Sequence, residues 1–72
     1  MKITVKARFN ATQQRIEKFS SSNYLVYLGI PEAENAVSVI AYVLSKQLGV
    51  PSNKIAPQGR DVHGNYIFEV LA

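Results

Sequence analysis

The residues with the greatest chemical potential lie together in residues 58–65, where polar side chains and glycines surround a single valine. Asp61 and His63 are two positions apart, and a carboxylate beside an imidazole can orient the ring as a general base. Such a base also needs a nucleophile or a substrate held in a cleft, and the sequence has no cysteine. Two glycines that bracket polar residues are typical of an irregular hairpin loop, so we predict a turn here and no enzyme.

The same loop has a second interpretation, as an anion-binding site. Gly59 and Gly64 could expose backbone N–H groups that, with Arg60, form a nest for an anion. The sequence carries no phosphate-binding glycine motif and no dinucleotide fingerprint. It also has one histidine, and its carboxylates follow no metal-ligand spacing. We therefore predict neither a metal site nor a cofactor.

The net charge of +3 arises from the N-terminal quarter of the chain. Residues 1–18 carry five basic residues and one acidic residue, whereas residues 19–72 carry three basic and four acidic ones. Cations concentrated on one face attract polyanions such as nucleic acids. The candidate residues of a nucleic-acid or polyanion site are Lys2, Lys6, Arg8, Arg15, Lys18 and Arg60. No aromatic residue alternates with these cations along the sequence, so no base-stacking surface is predicted.

Two apolar patterns predict strands in the first half of the chain. Residues 2–9 alternate between apolar and basic or polar side chains, which indicates a strand with one solvated face. Residues 24–30 are apolar on both sides, which predicts the central strand of the sheet. Between them, residues 10–18 read as a loop that could regain extended structure over residues 16–19, and residues 20–23 as a turn.

A helix is predicted from residue 32 to residue 48. Its start is marked by a proline suited to the first helical turn and by carboxylates that would face the positive end of the helix dipole: Pro31, Glu32 and Glu34. Its end is marked by a basic residue, a glycine that can take the left-handed conformation and a proline that cannot continue a helix: Lys46, Gly49 and Pro51.

The apolar face of this helix is wider than contact with one sheet requires. Its core stripe is predicted to comprise Val37, Ile40, Ala41, Leu44 and Leu48. Val39 and Val43 extend that stripe sideways, which indicates either deep burial, with coverage by residues 10–18, or a contact with a second copy or a partner protein. Asn35, near the helix start, either faces solvent or bridges to the loop of residues 59–64.

The last part of the chain predicts two more strands. A short strand over residues 54–56 precedes Pro57, which favours a sheet edge, and residues 65–71 form the final strand. The predicted fold is a single domain over residues 1–72, a two-layer α+β fold of the order β-β-α-β-β. It has a mostly antiparallel four-stranded sheet with one long helix on one face. We recognise no signal peptide and no membrane span, and therefore expect a cytoplasmic protein.

Several segments resemble one family of small proteins. They are Leu48 to Ser52 after an apolar helix, Gly59 beyond it, Val5-Lys6, Tyr24 to Leu28, and Pro31 with Asn35-Ala36. Over almost its whole length the chain resembles the YggU-like family, a domain of unknown function. The resemblance implies the same order of elements, usually with a further C-terminal helix, which we expect to be absent here.

The resemblance carries three positions over to this chain: Lys6, Asn35 and Gly59. Elsewhere the chain departs from the family pattern. The proline that follows Val-Lys in the family is Ala7 here. Residues 32–34 and 62–65 replace the family's Asp-Gly-Lys and Ser-Arg-x-Lys segments, so two basic positions are lost. Any anion-binding role of those positions in the family does not carry over.

These observations predict a non-catalytic binding module for nucleic acid or another polyanion, which binds through the basic N-terminal strand. The alternative is a protein-interaction or homodimeric accessory domain that uses the wide apolar face of the helix. The first interpretation depends on where the cations lie in the folded sheet, and the second on whether Val39 and Val43 are exposed.

Overall fold

A five-stranded sheet packs against one α-helix in residues 1–71, which are the residues that the computed structural model describes. The elements are β1 (Lys2–Arg8), β2 (Arg15–Ser20), β3 (Asn23–Tyr27), α1 (Ala36–Leu48), β4 (Ile55–Arg60) and β5 (Tyr66–Val70). A 3-10 turn at Ser52–Lys54 precedes β4. The predicted class, a small α+β domain with one helix, is confirmed.

The prediction of four strands is wrong, because the sheet has a fifth strand and is mixed. Its strand order is β2-β3-β1-β5-β4, with β1 and β3 parallel and the other three neighbours antiparallel. The additional strand is β2, which lies partly in the predicted loop of residues 10–18. An edge strand with a single neighbour needs few apolar residues, so the polar sequence of β2 gives little sign of a strand.

The centre of the sheet is β1 and not, as predicted, the strand that begins near Tyr24. The chain reverses between β1 and β2 and again at the Ser21–Ser22 turn, so β3 returns to the direction of β1 and pairs with it in parallel. The predicted strand over residues 24–30 ends at Tyr27. Leu28 is fully buried beyond the strand end, which explains why the apolar run is longer than the strand.

The two faces of the sheet differ in their cover. One face carries Ile3, Val5 and Phe68, all fully buried, and packs against Ile40 and Leu44 of α1. The opposite side of β1 carries its exposed basic residues, and no helix of residues 1–71 lies over it. The alternation predicted for the first strand is therefore confirmed, and it divides the sheet into an apolar face and a solvated one.

The helix begins at Ala36, four residues later than predicted, so Glu32 and Glu34 do not lie in its first turn. Residues 28–35 are needed to cross from the end of β3 to the helix, and an ion pair between Glu32 and Arg60, at 3.1 Å, joins this crossing to the end of β4. Asn35 occupies the N-cap position, but its side chain makes no capping hydrogen bond.

The predicted helix end is confirmed. Gly49 follows Leu48 in the left-handed conformation, with φ of 71°, and its N–H donates to the Ser45 carbonyl. The backbone N–H of Val50 donates to the same carbonyl at 3.2 Å. A side chain at position 49 would be strained in this conformation, which is why glycine marks the end of the helix.

The predicted edge strand is also confirmed, although it is longer than predicted. β4 lies at the edge of the sheet, and Pro57 is accommodated there because the outer side of an edge strand needs no N–H donor. Gly59 is part of β4 and not of the following loop. It has φ of 100° and lies where the β4–β5 register shifts, so it forms a bulge.

Candidate nucleic-acid interface

The solvated side of the sheet is the largest surface on which the predicted basic residues meet. Strand alternation and the registers of neighbouring strands place the following side chains on it: Lys2, Thr4, Lys6, Arg8, Arg15, Glu17, Asn23, Leu25, Tyr27, Ile67 and Glu69. We call this surface the open face. It extends over four strands, so it is broad and flat, as a surface for an extended polymer must be.

One row of residues crosses the open face from β2 through β3 to β1. Arg15 pairs with Tyr27 in the β2–β3 register, and Tyr27 pairs with Arg8 in the β1–β3 register. Paired residues of neighbouring strands point to the same face, so Tyr27 has an arginine as its cross-strand neighbour on each side. The Arg15 guanidinium carbon is 4.7 Å from the Tyr27 ring centroid, a cation–π contact. We call these three residues the arginine–tyrosine row.

The neighbouring row of the open face contains an apolar side chain, Leu25. Leu25 lies between Glu17 and Lys6 in the registers, and it is only 7% exposed although no helix covers it. The long side chains on either side lay their aliphatic stems over it and keep their charged groups in water. Lys6 therefore stands over an apolar base.

The carboxylates on the open face are already paired. Glu17 accepts a hydrogen bond from Arg15 at 2.6 Å, and Glu69 accepts one from the N-terminal ammonium group at 2.5 Å. Within residues 1–71 no ion pair engages Lys2, Lys6 or Arg8. The open face therefore has a net positive charge that is available to an anion.

Of the six predicted cations, Lys18 lies away from the open face and Arg60 lies at its β4 border. Lys18 pairs with Tyr24, a core residue, so it lies on the helix side of β2. Arg60 is held at the end of β4, where its guanidinium carbon lies 4.4 Å from the Tyr66 ring centroid. It also donates two hydrogen bonds to the Gly64 carbonyl, at 2.9 and 2.7 Å. The structure thus places Lys2, Lys6, Arg8 and Arg15 on the open face, and Arg60 lines a cleft at its border together with Lys2.

Tyr27 is the residue of this surface that the sequence pattern missed. The cations are not interleaved with aromatic residues along the chain, but the parallel β1–β3 pairing places Tyr27 beside Arg8. A shallow cleft of about 160 Å³ adjoins the ring and is lined by residues 11–13, Arg15 and Tyr27. No aromatic residue alternates with the cations along the sequence, but the folded sheet places Tyr27 beside two of them. The available signal was a tyrosine at the end of an apolar strand, where its outer face must meet solvent.

The Asp61 and His63 pair belongs to a turn and not to a catalytic site. Asp61 accepts hydrogen bonds from the backbone N–H groups of His63 and Asn65, both at 2.9 Å, and from the Asn65 amide at 3.1 Å. Its contact with His63 is therefore to the backbone and not to the imidazole. The residue orders the hairpin between β4 and β5, as the turn interpretation predicts.

The same hydrogen bonds answer the question of an anion nest. The backbone N–H groups of His63 and Asn65, which an external anion would need, already face the Asp61 carboxylate. Gly64 donates its N–H to the Asp61 carbonyl at 3.0 Å. The Asp61 carboxylate therefore already occupies the position that an external anion would take. Asn35 is exposed at the helix start, and Gly59 lies at the bulge in β4, so neither residue is part of this turn.

The lateral face of the helix is mostly buried. Val43 is 8% exposed and belongs to the core, and Val39 is half-buried and packs against it. A cleft of about 280 Å³ separates Val43 from Ile16 of β2, so residues of the 10–18 segment and β2 lie beside this part of the helix. Of the two interpretations of the wide apolar face, burial therefore accounts for Val43.

The turn gives a prediction on pH. Desolvation is the largest single influence on the pKa of Asp61, and it raises that pKa. The hydrogen bonds from Asn65 and His63 and the charge of His63 act in the opposite direction and together outweigh desolvation, so the net pKa lies below 3.8. A lowered carboxyl pKa stabilises the folded state above pH 3.8 and loses that effect as the pH falls through the folded-state pKa. We expect the amide NMR signals of His63 and Asn65 to titrate together below pH 3.8. Asp61→Asn should abolish this step, and a midpoint above 3.8 would contradict the assignment.

Other classes of site find no support in the described residues. Residues 1–71 contain no group of three or more His, Cys, Asp or Glu side chains that could hold a metal ion. No helix in the same residues has the length and apolar character needed to cross a membrane. In comparisons with protein-family models, curated proteins and solved structures, the chain matches none of them.

Proposed function

We propose that the protein is a non-catalytic module that binds single-stranded nucleic acid on the open face. The observation that carries this proposal is the arginine–tyrosine row, in which the Arg15 guanidinium contacts the Tyr27 ring and Arg8 faces Tyr27 across the β1–β3 pairing. Proteins that bind single strands combine a positive surface that tracks the phosphates with aromatic rings on which bases stack. Both components are present on the open face.

The positions of the cations suit a phosphate backbone that runs along β1. Lys6 and Arg8 are two residues apart on one strand, which separates them by about 7 Å, and Lys2 lies about 13 Å from Lys6 on the same line. A chain laid along β1 would meet cations at successive points while one base reaches Tyr27. Arginine and lysine without internal partners are free to release counterions from phosphates.

The shape of the surface favours a single strand over a duplex. The major groove of B-form DNA admits an α-helix or a two-stranded ribbon. The open face belongs to a sheet with strands on both sides of β1 and β3, and such a surface is too broad to enter that groove. The half-buried Tyr27 ring also needs an unpaired base to stack on its accessible part.

A salt titration tests the proposal directly. Labelled single-stranded RNA and DNA would be titrated with the protein at salt concentrations from ~50 to ~200 mM, with fluorescence anisotropy as the readout. Three or four phosphate contacts predict that log K falls against log salt with a slope of about −2 to −3. Binding that is undetectable at the lowest salt would contradict the proposal, and so would a preference for duplex DNA.

The stacking component has a matched set of variants. Tyr27→Ala should weaken binding by about 5- to 150-fold, because stacking contributes ~1–3 kcal/mol per base, whereas Tyr27→Phe should retain it. Tyr42→Ala removes a tyrosine from the helix, away from the open face, where Tyr42 is 56% exposed, and should leave binding unchanged. Equal losses from the two alanine variants would show that Tyr27 is not a stacking platform.

We further propose that the chain is a member of the YggU-like family. What supports this is the placement of the residues that carry the resemblance. Gly49, within Leu48 to Ser52, ends the helix in the left-handed conformation, and Gly59 forms the β4 bulge. Lys6, which is shared with the family pattern as Gly59 is, lies on the open face. Alignment of further sequences should retain glycine at these two strained positions if the proposal is correct.

A further inference from the structure

A second surface lies on the opposite side of the sheet, between the edge strand β2 and the helix. It is a cleft of about 280 Å³ whose walls include Gln14 and Ile16 from the β2 side and Tyr42, Val43, Lys46 and Gln47 from α1. Ile16 is half-buried, and Tyr42 is 56% exposed. The cleft is therefore an apolar channel that is partly open to solvent.

The cleft exists because one helix cannot cover five strands. Five strands spaced about 4.8 Å apart are about 19 Å wide, whereas a helix with its side chains is about 10 Å across. Helix α1 lies closest to β4 and the 3-10 turn, at the far side of the sheet. The strip above β2 is thus the part of the apolar face that receives the least cover.

The backbone of β2 offers a second feature. Within residues 1–71, β2 pairs with β3 and with no other strand, so every second N–H and C=O group along it points away from the sheet. The other edge, β4, is interrupted by Pro57 and by the bulge at Gly59. Of the two edges, β2 is therefore the one that can accept another strand.

We propose that an extended peptide from another protein adds to the edge of β2, with an apolar side chain in the cleft and an acidic side chain two positions away. The added residue beside Ile16 would point to the helix side, because Ile16 pairs with Val26 of the core. Its side chain would enter the cleft next to Tyr42 and Val43. This is the strand-addition mode, in which the backbone supplies affinity and alternate side chains supply specificity.

Charge complementarity fixes the acidic residue. Lys18 lies two positions beyond Ile16 on the same side of β2, and Lys46 lines the cleft from the helix. No carboxylate lines this cleft, and Glu17 points to the open face, where it is paired with Arg15. A peptide residue beside Lys18 would therefore meet a lysine next to a cleft that holds a second lysine and no carboxylate, and it should be aspartate or glutamate.

A second copy of the chain fits the same edge poorly. Two copies that pair through β2 would be related by a twofold axis normal to the sheet, and residues that face each other would then lie on the same side of the sheet. Each possible register therefore has one central residue that faces its own counterpart in the other copy. Centring on Glu17 or Lys18 places two like charges directly opposite each other, which is destabilising. Centring on Ile16 avoids this but overlaps only residues 15–17 of β2. The self-paired edge is therefore short or repulsive.

The test is selection from a displayed library of random peptides, followed by amide NMR mapping on the full chain. We expect enriched peptides to place a large apolar residue and an acidic residue two positions apart, and to shift signals of β2 and of residues 42–47. The double variant Lys18→Glu/Lys46→Glu should weaken the selected peptide about tenfold or more, which corresponds to ~1.4 kcal/mol. Lys54→Glu, at the 3-10 turn outside the cleft, should change affinity little.

Three results would overturn the proposal. The selection could yield no common sequence pattern, or the selected peptide could shift signals of β4 or of the open face. Sedimentation could also show a dimer whose interface covers Ile16. The cleft and the open face are also separable. Lys6→Glu/Arg8→Glu should leave peptide affinity unchanged because both residues lie on the other side of the sheet. Failure of nucleic-acid binding would therefore leave the peptide site intact, and the reverse also holds.

Discussion

The variant Phe68→Ala is expected to remove most of the stability of the domain. Phe68 is the largest fully buried side chain, and it lies on β5 opposite Ile3 of the central strand and Pro57 of the edge strand. Truncation of a buried phenylalanine costs about 3–5 kcal/mol, because it loses apolar burial and leaves a cavity. A chain of 72 residues has a total stability of about 4–11 kcal/mol. Urea unfolding followed by circular dichroism should show a large shift in midpoint or no folded baseline.

The matched control is Phe19→Ala, the same substitution on the edge strand β2. Phe19 is 65% exposed and lies where the β2–β3 register shifts, so little burial is lost. We expect a change within about 0.5 kcal/mol. If both variants lost similar stability, or if Phe68→Ala lost less than about 1 kcal/mol, the core would not be centred on β5 as the structure has it.

The helix end and the first strand were predictable because their signals are local. Glycine at position 49 and the alternation of residues 2–9 act within a few residues of themselves, so no knowledge of neighbouring strands is needed. The helix start was not predictable in the same way. Pro31 and Glu32 carry the composition of a first turn, but the chain needs those residues to cross from β3 to the helix, and Glu32 is paired with Arg60.

Strand pairing is the part of the fold that local signals could not determine. Apolar residues on both sides of β3 predict the centre of the sheet, yet Leu25 lies on the open face, where no helix of residues 1–71 covers it. The parallel pairing of β1 and β3 depends on the additional strand β2, whose polar sequence resembles a loop. A single unrecognised edge strand thus changed both the strand count and the strand order.

The candidate site shows the same division between local and long-range information. The alternating cations of β1 were found from the sequence, because period-two spacing places them on one face. Tyr27 was missed, since its neighbours Arg8 and Arg15 are distant in sequence and meet it only through the registers of two strand pairs. Lys18 is one of the cations concentrated in residues 1–18, but its position in the strand places it on the other face.

The double variant Lys6→Glu/Arg8→Glu is expected to abolish measurable binding of single-stranded nucleic acid. Both side chains are exposed on the open face, and neither is engaged in an ion pair within residues 1–71. Each reversal replaces an attraction for phosphate with a repulsion, so we expect affinity to fall by more than about a hundredfold. Any residual binding should show a salt slope smaller in magnitude by about 1.4, since two contacts are lost. Fluorescence anisotropy at several salt concentrations measures both quantities.

The control for this variant is Lys46→Glu/Lys54→Glu, which changes the net charge of the protein by the same amount. Lys46 lies in the last turn of α1 and Lys54 in the 3-10 turn, so both are away from the open face. If only total charge governed the association, the two double variants would weaken nucleic-acid binding equally. That result would show that the open face is not the binding site. If the row formed by Arg15, Tyr27 and Arg8 is the platform, the control retains most of the affinity while the open-face variant loses it. Circular dichroism should show all of these variants folded, because the substituted side chains are exposed.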